Sequence, residues 1–205
     1  MKRMTMAVLF VLCTVAACLA PAVAFAHPGP GPHMGHMGLV PGFMHPLTGA
    51  DHLLVMVAVG ILAATLGGRA LRALPLTFLA VMALGSVLGI NGVGLPLVEL
   101  VIALSVVVMG LAVASPRKCS MVAATALIAA FALYHGHAHG TELVPAVLAI
   151  PFVLGFTAAT AMLHSIGIGL GLAVKRLNPT YVRCACSVVG LAIAMCGLGL
   201  LARIA

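Results

Sequence analysis

Two short stretches place histidine beside carboxylate in an otherwise apolar chain. The first, residues 45–52, contains His45, Asp51 and His52. A spacing of seven residues is about two helical turns, so a helix would bring the two histidines to one face. Pro46 biases the residue before it towards extended geometry, and we therefore predict His45 at a helix entrance and the Asp-His pair about two turns in. Nitrogen and oxygen ligands of this kind suit hard or borderline cations.

The second stretch, residues 134–142, has the sequence YHGHAHGTE. In a helix, His135, His139 and Glu142 would share one face, while His137 would point away. Three histidines and one glutamate within eight residues predict a metal site. A histidine-rich outer loop is the alternative that the spacing leaves open.

His164 is a third, isolated candidate ligand within an apolar segment. An intramembrane histidine is often satisfied by a neighbouring carbonyl or hydroxyl group, and spacing alone favours that interpretation. It lies deeper than the acidic residues, so it is also a candidate for the next ligand along a pathway. A charged side chain at bilayer depth costs about 2.5–3.5 kcal/mol on insertion scales, and such residues are usually functional.

The composition defines the class of protein that holds these groups. Of 205 residues, 63% are hydrophobic and 6% are charged, against about 25% charged in a soluble domain. The chain is therefore expected to be an all-α, polytopic helical bundle in a lipid bilayer, with residues 43–205 as its transmembrane domain. The net charge of +7 is scattered, which argues against nucleic-acid binding. No Ser-His-Asp grouping or His-Glu-x-x-His helix is present, so we do not expect an enzyme.

The N-terminal segment predicts secretion. Residues 1–26 have a basic start, an apolar stretch and a small-x-small site ending at Ala26, as a cleaved signal peptide does. A lipoprotein-like cut before Cys18 and an uncleaved first helix are the alternatives. Residues 27–42 are rich in glycine and proline, which predicts an irregular extracytoplasmic linker. Its histidines either capture metal loosely or are incidental; they are His27, His33 and His36.

Six apolar runs follow, each near or above the roughly 20 residues that cross a bilayer. The fifth is too long for one straight helix, and Pro145 and Pro151 predict a late start, a tilt or a bend. The runs are residues 43–66, 74–90, 95–114, 121–139, 143–174 and 182–204.

Loop charges give the same orientation as the signal peptide. With the mature N-terminus outside, the cytoplasmic loops contain seven basic residues and the outer loops contain none, as the positive-inside rule requires. These basic residues are Arg69, Arg72, Arg117, Lys118, Lys175, Arg176 and Arg183. In this topology the three acidic residues, Asp51, Glu99 and Glu142, all lie near the outer side, where they would attract cations. For Glu99, pairing with a helix N-terminus is the favoured interpretation.

Both histidine motifs resemble those of the HupE/UreJ family of bacterial nickel/cobalt permeases. Residues 45–52 match its His-x5-Asp-His element, and residues 134–142 match its Phe-His-Gly-x-Ala/Val-His-Gly-x-Glu element, with Tyr134 in place of phenylalanine. Residues 94–105, which include Ser105, and residues 159–164 look like the family too. The resemblance covers nearly the whole mature chain.

The resemblance implies secondary uptake of Ni²⁺, with Co²⁺ as a second candidate, across the bacterial inner membrane and without an ATPase domain. It implies no prosthetic group and a functional link to the maturation of nickel enzymes. The oligomeric state, homo-oligomer included, stays open. Two alternatives are a non-transporting scaffold for hydrogenase or urease assembly and a bis-histidine haem protein. The predicted metal ligands are His45, Asp51, His52, His135, His139, Glu142 and His164.

Overall fold

The computed structural model describes residues 38–115, 120–142 and 149–204. Within those ranges the chain forms helices and short connections, with no strand, which confirms the predicted all-α fold. The helices are α1 (Leu39–Thr48), α2 (Ala50–Leu66), α3 (Ala70–Ile90), α4 (Val98–Ala114), α5 (Met121–Glu142), α6 (Ala149–Lys175) and α7 (Pro179–Leu201). Several predicted features lie outside the described residues: the signal peptide, the histidines of the linker, and the loop that contains Arg117 and Lys118.

The helices have the length and composition of membrane spans. Helices α3, α5, α6 and α7 are each long and apolar enough to cross a bilayer, and α1 with α2 would form a further, broken span. Helix α4 has 17 residues, the lower limit for a transmembrane helix. The protein is therefore a polytopic helical membrane bundle, and its helices correspond in position to the six predicted runs.

The first predicted run is not one helix. Helices α1 and α2 meet at Gly49 with a bend of 81°, so His45 lies in the last turn of α1 and Asp51 in the first turn of α2. The prediction of His45 at the entrance of a continuous helix is therefore wrong. Pro46 sits inside α1, and its ring leaves the helix one hydrogen bond short just before the bend. Helix α1 also begins at Leu39, so residues 39–42, which were predicted to belong to the irregular linker, are helical.

Helix α6 is described from Ala149 onward, and the earlier part of its apolar run, which includes Pro145, lies outside the described residues. The late start, one of the three alternatives that the prolines predicted, therefore stays a prediction. Pro151 lies within α6, two residues after Ala149.

Glycines bring the helix backbones into direct contact. A Cβ atom added to Gly136 of α5 would collide with the backbone of Met82 in α3, and one added to Gly89 of α3 would lie 2.5 Å from the carbonyl oxygen of His137. Gly136 therefore allows close approach of another helix. Small residues at such contacts are typical of membrane helix pairs. The result is a tightly fixed α3–α5 pair, which holds the second histidine motif in place.

Helix α2 lies at the centre of the bundle and packs on α3, α4 and α6. Its residues are buried on all sides, including Val55, Met56 and Val59. The Asp-His pair at its start therefore points into protein and away from the lipid-facing surface.

Candidate metal centre

Three imidazole rings from two helices meet in the bundle interior. Nε2 of His52, in the first turn of α2, lies 3.2 Å from Nδ1 of His135 and 2.6 Å from Nε2 of His139. The three side chains are 1%, 0% and 3% exposed, respectively. Two nitrogens that bind one ion at about 2.0–2.1 Å with tetrahedral angles are about 3.3 Å apart. The His52–His135 spacing fits one shared metal ion.

Asp51 supplies a buried negative charge beside these rings. Its Oδ1 accepts a hydrogen bond of 3.0 Å from Nδ1 of His52, and the residue is buried. A carboxylate that orients an imidazole whose other nitrogen faces a metal is a recurrent arrangement in metal sites. The geometry thus places Asp51 behind His52, where its charge offsets that of a bound cation.

His45 and Glu142 lie on the more exposed side of the same group. A donor atom from each of His45, His139 and Glu142 lies within 4.8 Å of the other two, and Glu142 is exposed. Nδ1 of His139 is 4.0 Å from Oε2 of Glu142, and the His139 ring centroid is 4.7 Å from that of His45. The imidazole of His139 therefore connects an outer group of donors to the buried pair His52 and His135.

Ser105 of α4 contacts the far side of His135. Its Oγ lies 3.0 Å from Nε2 of His135 and donates a hydrogen bond of 2.6 Å to the carbonyl oxygen of Ile102. The serine is fully buried. A third helix therefore holds the imidazole of His135 from behind.

Aromatic rings enclose the imidazoles. On α6, Phe156 has its ring centroid 4.4 Å from that of His139, and Phe152 lies 5.7 Å from His45. Both phenylalanines are buried. An apolar wall of this kind lowers the local dielectric and strengthens the interaction between a cation and its ligands.

His164 is not part of this group of rings. It is buried on α6, and neither of its ring nitrogens has a hydrogen-bond partner among the described residues. Phe78 stands between it and the group: its ring centroid is 5.2 Å from that of His164 and 6.0 Å from that of His135. The structure thus brings six of the seven predicted ligands together and places the seventh behind Phe78.

Two other predicted positions can be located. Nε2 of His137 points away from the group and donates a hydrogen bond of 2.6 Å to the carbonyl oxygen of Val93, as predicted from its place on the helix. Glu99 is exposed in the first turn of α4, which agrees with its interpretation as a helix-terminus acid.

Sequence reasoning missed the roles of Ser105 and of the phenylalanines. One signal was available on α6, where Phe152, Phe156, Thr160 and His164 recur every four residues and so share a helix face. Ser105 belongs to a segment that resembles the family, but the contacts of Ser105 and Phe78 with the histidines could not be predicted, because they join helices that are distant in sequence.

Apolar helices that can cross a bilayer, with a buried imidazole–carboxylate cluster between them, define a multi-pass membrane protein with a group of candidate metal ligands in its interior. The sequence model described as HupE / UreJ protein matches residues 15–200 of the chain. The chain therefore belongs to the HupE / UreJ family. It is 44% identical over 189 residues to "Protein HupE" of Rhizobium leguminosarum bv. viciae, covering 92% of this chain and 95% of the relative. No solved structure matches the chain.

Proposed function

We propose that this protein takes up Ni²⁺, with Co²⁺ as a second substrate, by secondary transport from the periplasm across the bacterial inner membrane. One observation carries the proposal: Nε2 of His52 lies within 3.2 Å of a ring nitrogen of His135 and of a ring nitrogen of His139 in the bundle interior. Imidazole nitrogens with carboxylate support suit nickel, cobalt or zinc. The resemblance of both histidine motifs to nickel/cobalt permeases supports Ni²⁺ among these.

The donors form a series from exposed to buried. Glu142 and His45 lie on the accessible side and attract the ion from outside, and His139 and His52 replace its water molecules. His135 completes the buried group, and His164 receives the ion beyond Phe78. An ion that is held too strongly cannot leave, so transport requires several moderate sites in place of one tight site.

The geometry favours this proposal over a bis-histidine haem protein. A porphyrin between two axial imidazoles requires space for a flat macrocycle. Here the ring of His52 packs against those of His135 and His139 with centroids 4.7 Å and 4.5 Å apart. The described packing offers no gap of that shape between the rings.

The test is uptake of metal into proteoliposomes that contain the purified full-length protein. Asp51→Asn and His52→Ala should each abolish most of the Ni²⁺ uptake, because the first removes the buried charge and the second removes the central donor. Ile128→Ala is a matched packing control, since Ile128 is buried on α5 two turns before His135 and has no ligand atom.

Uptake at the wild-type rate by His52→Ala, at equal protein content, would refute the mechanism. Proteoliposomes that pass none of nickel, cobalt, zinc or copper, with or without a pH gradient, would favour the scaffold alternative. Competition among the four metals in the same vesicles measures selectivity.

A further inference from the structure

Ser105 has an unambiguous hydrogen-bond direction. A carbonyl oxygen has no proton to donate, so at 2.6 Å the hydroxyl proton of Ser105 points to the carbonyl oxygen of Ile102. The hydroxyl has only one proton. Its contact of 3.0 Å with Nε2 of His135 is therefore one in which the serine oxygen accepts, and Nε2 of His135 carries the hydrogen.

The same reasoning fixes the two nitrogens that face each other. A neutral imidazole has one N–H donor and one acceptor nitrogen, so Nδ1 of His135 presents a lone pair. On His52, Nδ1 donates to the carboxylate of Asp51 at 3.0 Å, so Nε2 presents a lone pair as well, which accepts from Nε2 of His139 at 2.6 Å. These two acceptor nitrogens are 3.2 Å apart with no proton to share between them.

We infer that Ser105 is a positioning residue of the metal site, which holds His135 in the tautomer whose Nδ1, together with Nε2 of His52, binds one divalent transition-metal ion. The inference rests on the proposed function and deepens it by naming the ligand atoms. No proton lies between these two nitrogens, so a cation that binds both would take the place of the N–H group that His139 directs at His52. Asp51 and Ser105 thus play equivalent parts, each fixing one imidazole from behind.

The ligand class follows from the donor atoms. Two imidazole nitrogens at the centre favour nickel, cobalt, copper or zinc over magnesium and calcium, which require oxygen ligands. Because the donors come from α2 and α5 and the positioning groups from α2 and α4, the site also depends on the relative placement of three helices.

Binding of Co²⁺ to the purified full-length protein tests the inference, measured by calorimetry and by the visible absorption of the ion. Ser105→Ala should weaken Co²⁺ binding about 10–100-fold, the usual range for loss of a group that orients a metal ligand, and should alter the absorption spectrum. Ser105→Thr keeps a hydroxyl group and should restore most of both.

Ser86 provides the matched control. It is also a buried serine, and its hydroxyl donates to a carbonyl of its own helix, that of Met82, at 3.1 Å. It has no contact with a histidine ring among the hydrogen bonds of the described residues. Ser86→Ala should leave the Co²⁺ affinity and spectrum unchanged.

A second measurement does not depend on whether the Ser105→Ala variant folds. In metal-free wild-type protein labelled with ¹⁵N-histidine, the signals that disappear in His135→Gln identify His135. Their shifts should show Nε2–H and an unprotonated Nδ1. The opposite tautomer in the wild type would overturn the inference, as would Ser105→Ala protein that binds Co²⁺ with wild-type affinity and spectrum.

These results separate the inference from the proposed function. Wild-type protein that binds Co²⁺ as described but carries no metal across a vesicle membrane would refute transport and leave the role of Ser105 intact. Normal transport with an unaltered Ser105→Ala variant would refute only the role of Ser105. Wild-type protein that binds no Co²⁺ would overturn both.

Discussion

Two buried histidine sites in this bundle differ in how their polar atoms are satisfied. Around His52 and His135, the nitrogen that faces away from the centre has a partner, Asp51 in one case and Ser105 in the other. Around His164, neither ring nitrogen has a hydrogen-bond partner among the described residues, and neither does the hydroxyl of Thr160 one turn earlier.

Under the proposed transport function, the two sites would play different parts. A buried polar group without a partner costs about 1–3 kcal/mol, so the site at His164 stores a penalty that an arriving ligand relieves. The site at His52 and His135 is already oriented and can select the ion. If the protein transports metal as proposed, the preoriented site at His52 and His135, here called the outer site, and the under-satisfied site at His164, the inner site, would favour passage over permanent capture.

Among the substitutions that compare these two sites, the largest effect on Co²⁺ affinity and uptake is expected from disturbing the packing that orients His52 and His135. Gly136→Ala places a methyl group against the backbone of Met82, and overpacking of this kind costs about 1–3 kcal/mol. Because Gly136 follows His135 directly, α5 must shift, and both Co²⁺ affinity and uptake should fall by about 5- to 150-fold, since each 1.4 kcal/mol is a factor of ten. Calorimetry and proteoliposome flux measure the two quantities.

Gly169→Ala is the control for this substitution. Gly169 lies on α6, near His164 in sequence, and an added Cβ atom there meets nothing within 4 Å. The variant should bind and transport metal as the wild type does. If both alanine variants behaved alike, the close α3–α5 packing would not be what orients the outer site.

The sequence alone predicted much of this site, for a physical reason. In a chain with three acidic residues and nine histidines, each polar group in an apolar run is costly, so composition and helical spacing pointed to His135, His139 and Glu142 together. The bend at Gly49 was missed, because α1 and α2 are both apolar and read as one continuous span. Helix pairing cannot be read from spacing within one helix, and this is why the contacts of Ser105 and Phe78 with the histidines were not predicted.

His164→Ala tests the inner site separately. The variant should bind Co²⁺ with wild-type affinity, because the ring of Phe78 lies between His164 and His135. Uptake should fall about tenfold, the effect of a barrier raised by roughly 1.4 kcal/mol when one ligand on the path is lost. Calorimetry on detergent-solubilised protein and initial-rate flux in proteoliposomes distinguish the two effects. Parallel loss of affinity and flux would show that His164 belongs to the same site as His52.

The smallest effect is expected at Thr160, where stability and transport should change in opposite directions. Thr160 is fully buried, and its hydroxyl has no hydrogen-bond partner among the described residues. Thr160→Val keeps the shape and removes the hydroxyl, so the variant should be more stable to heat in detergent by about 1 kcal/mol. If the hydroxyl helps to hold the ion near His164, uptake should fall about two- to threefold, a change in barrier of roughly 0.5 kcal/mol. A more stable variant with undiminished uptake would show that this hydroxyl has no part in transport, and the inner station would then consist of His164 without Thr160.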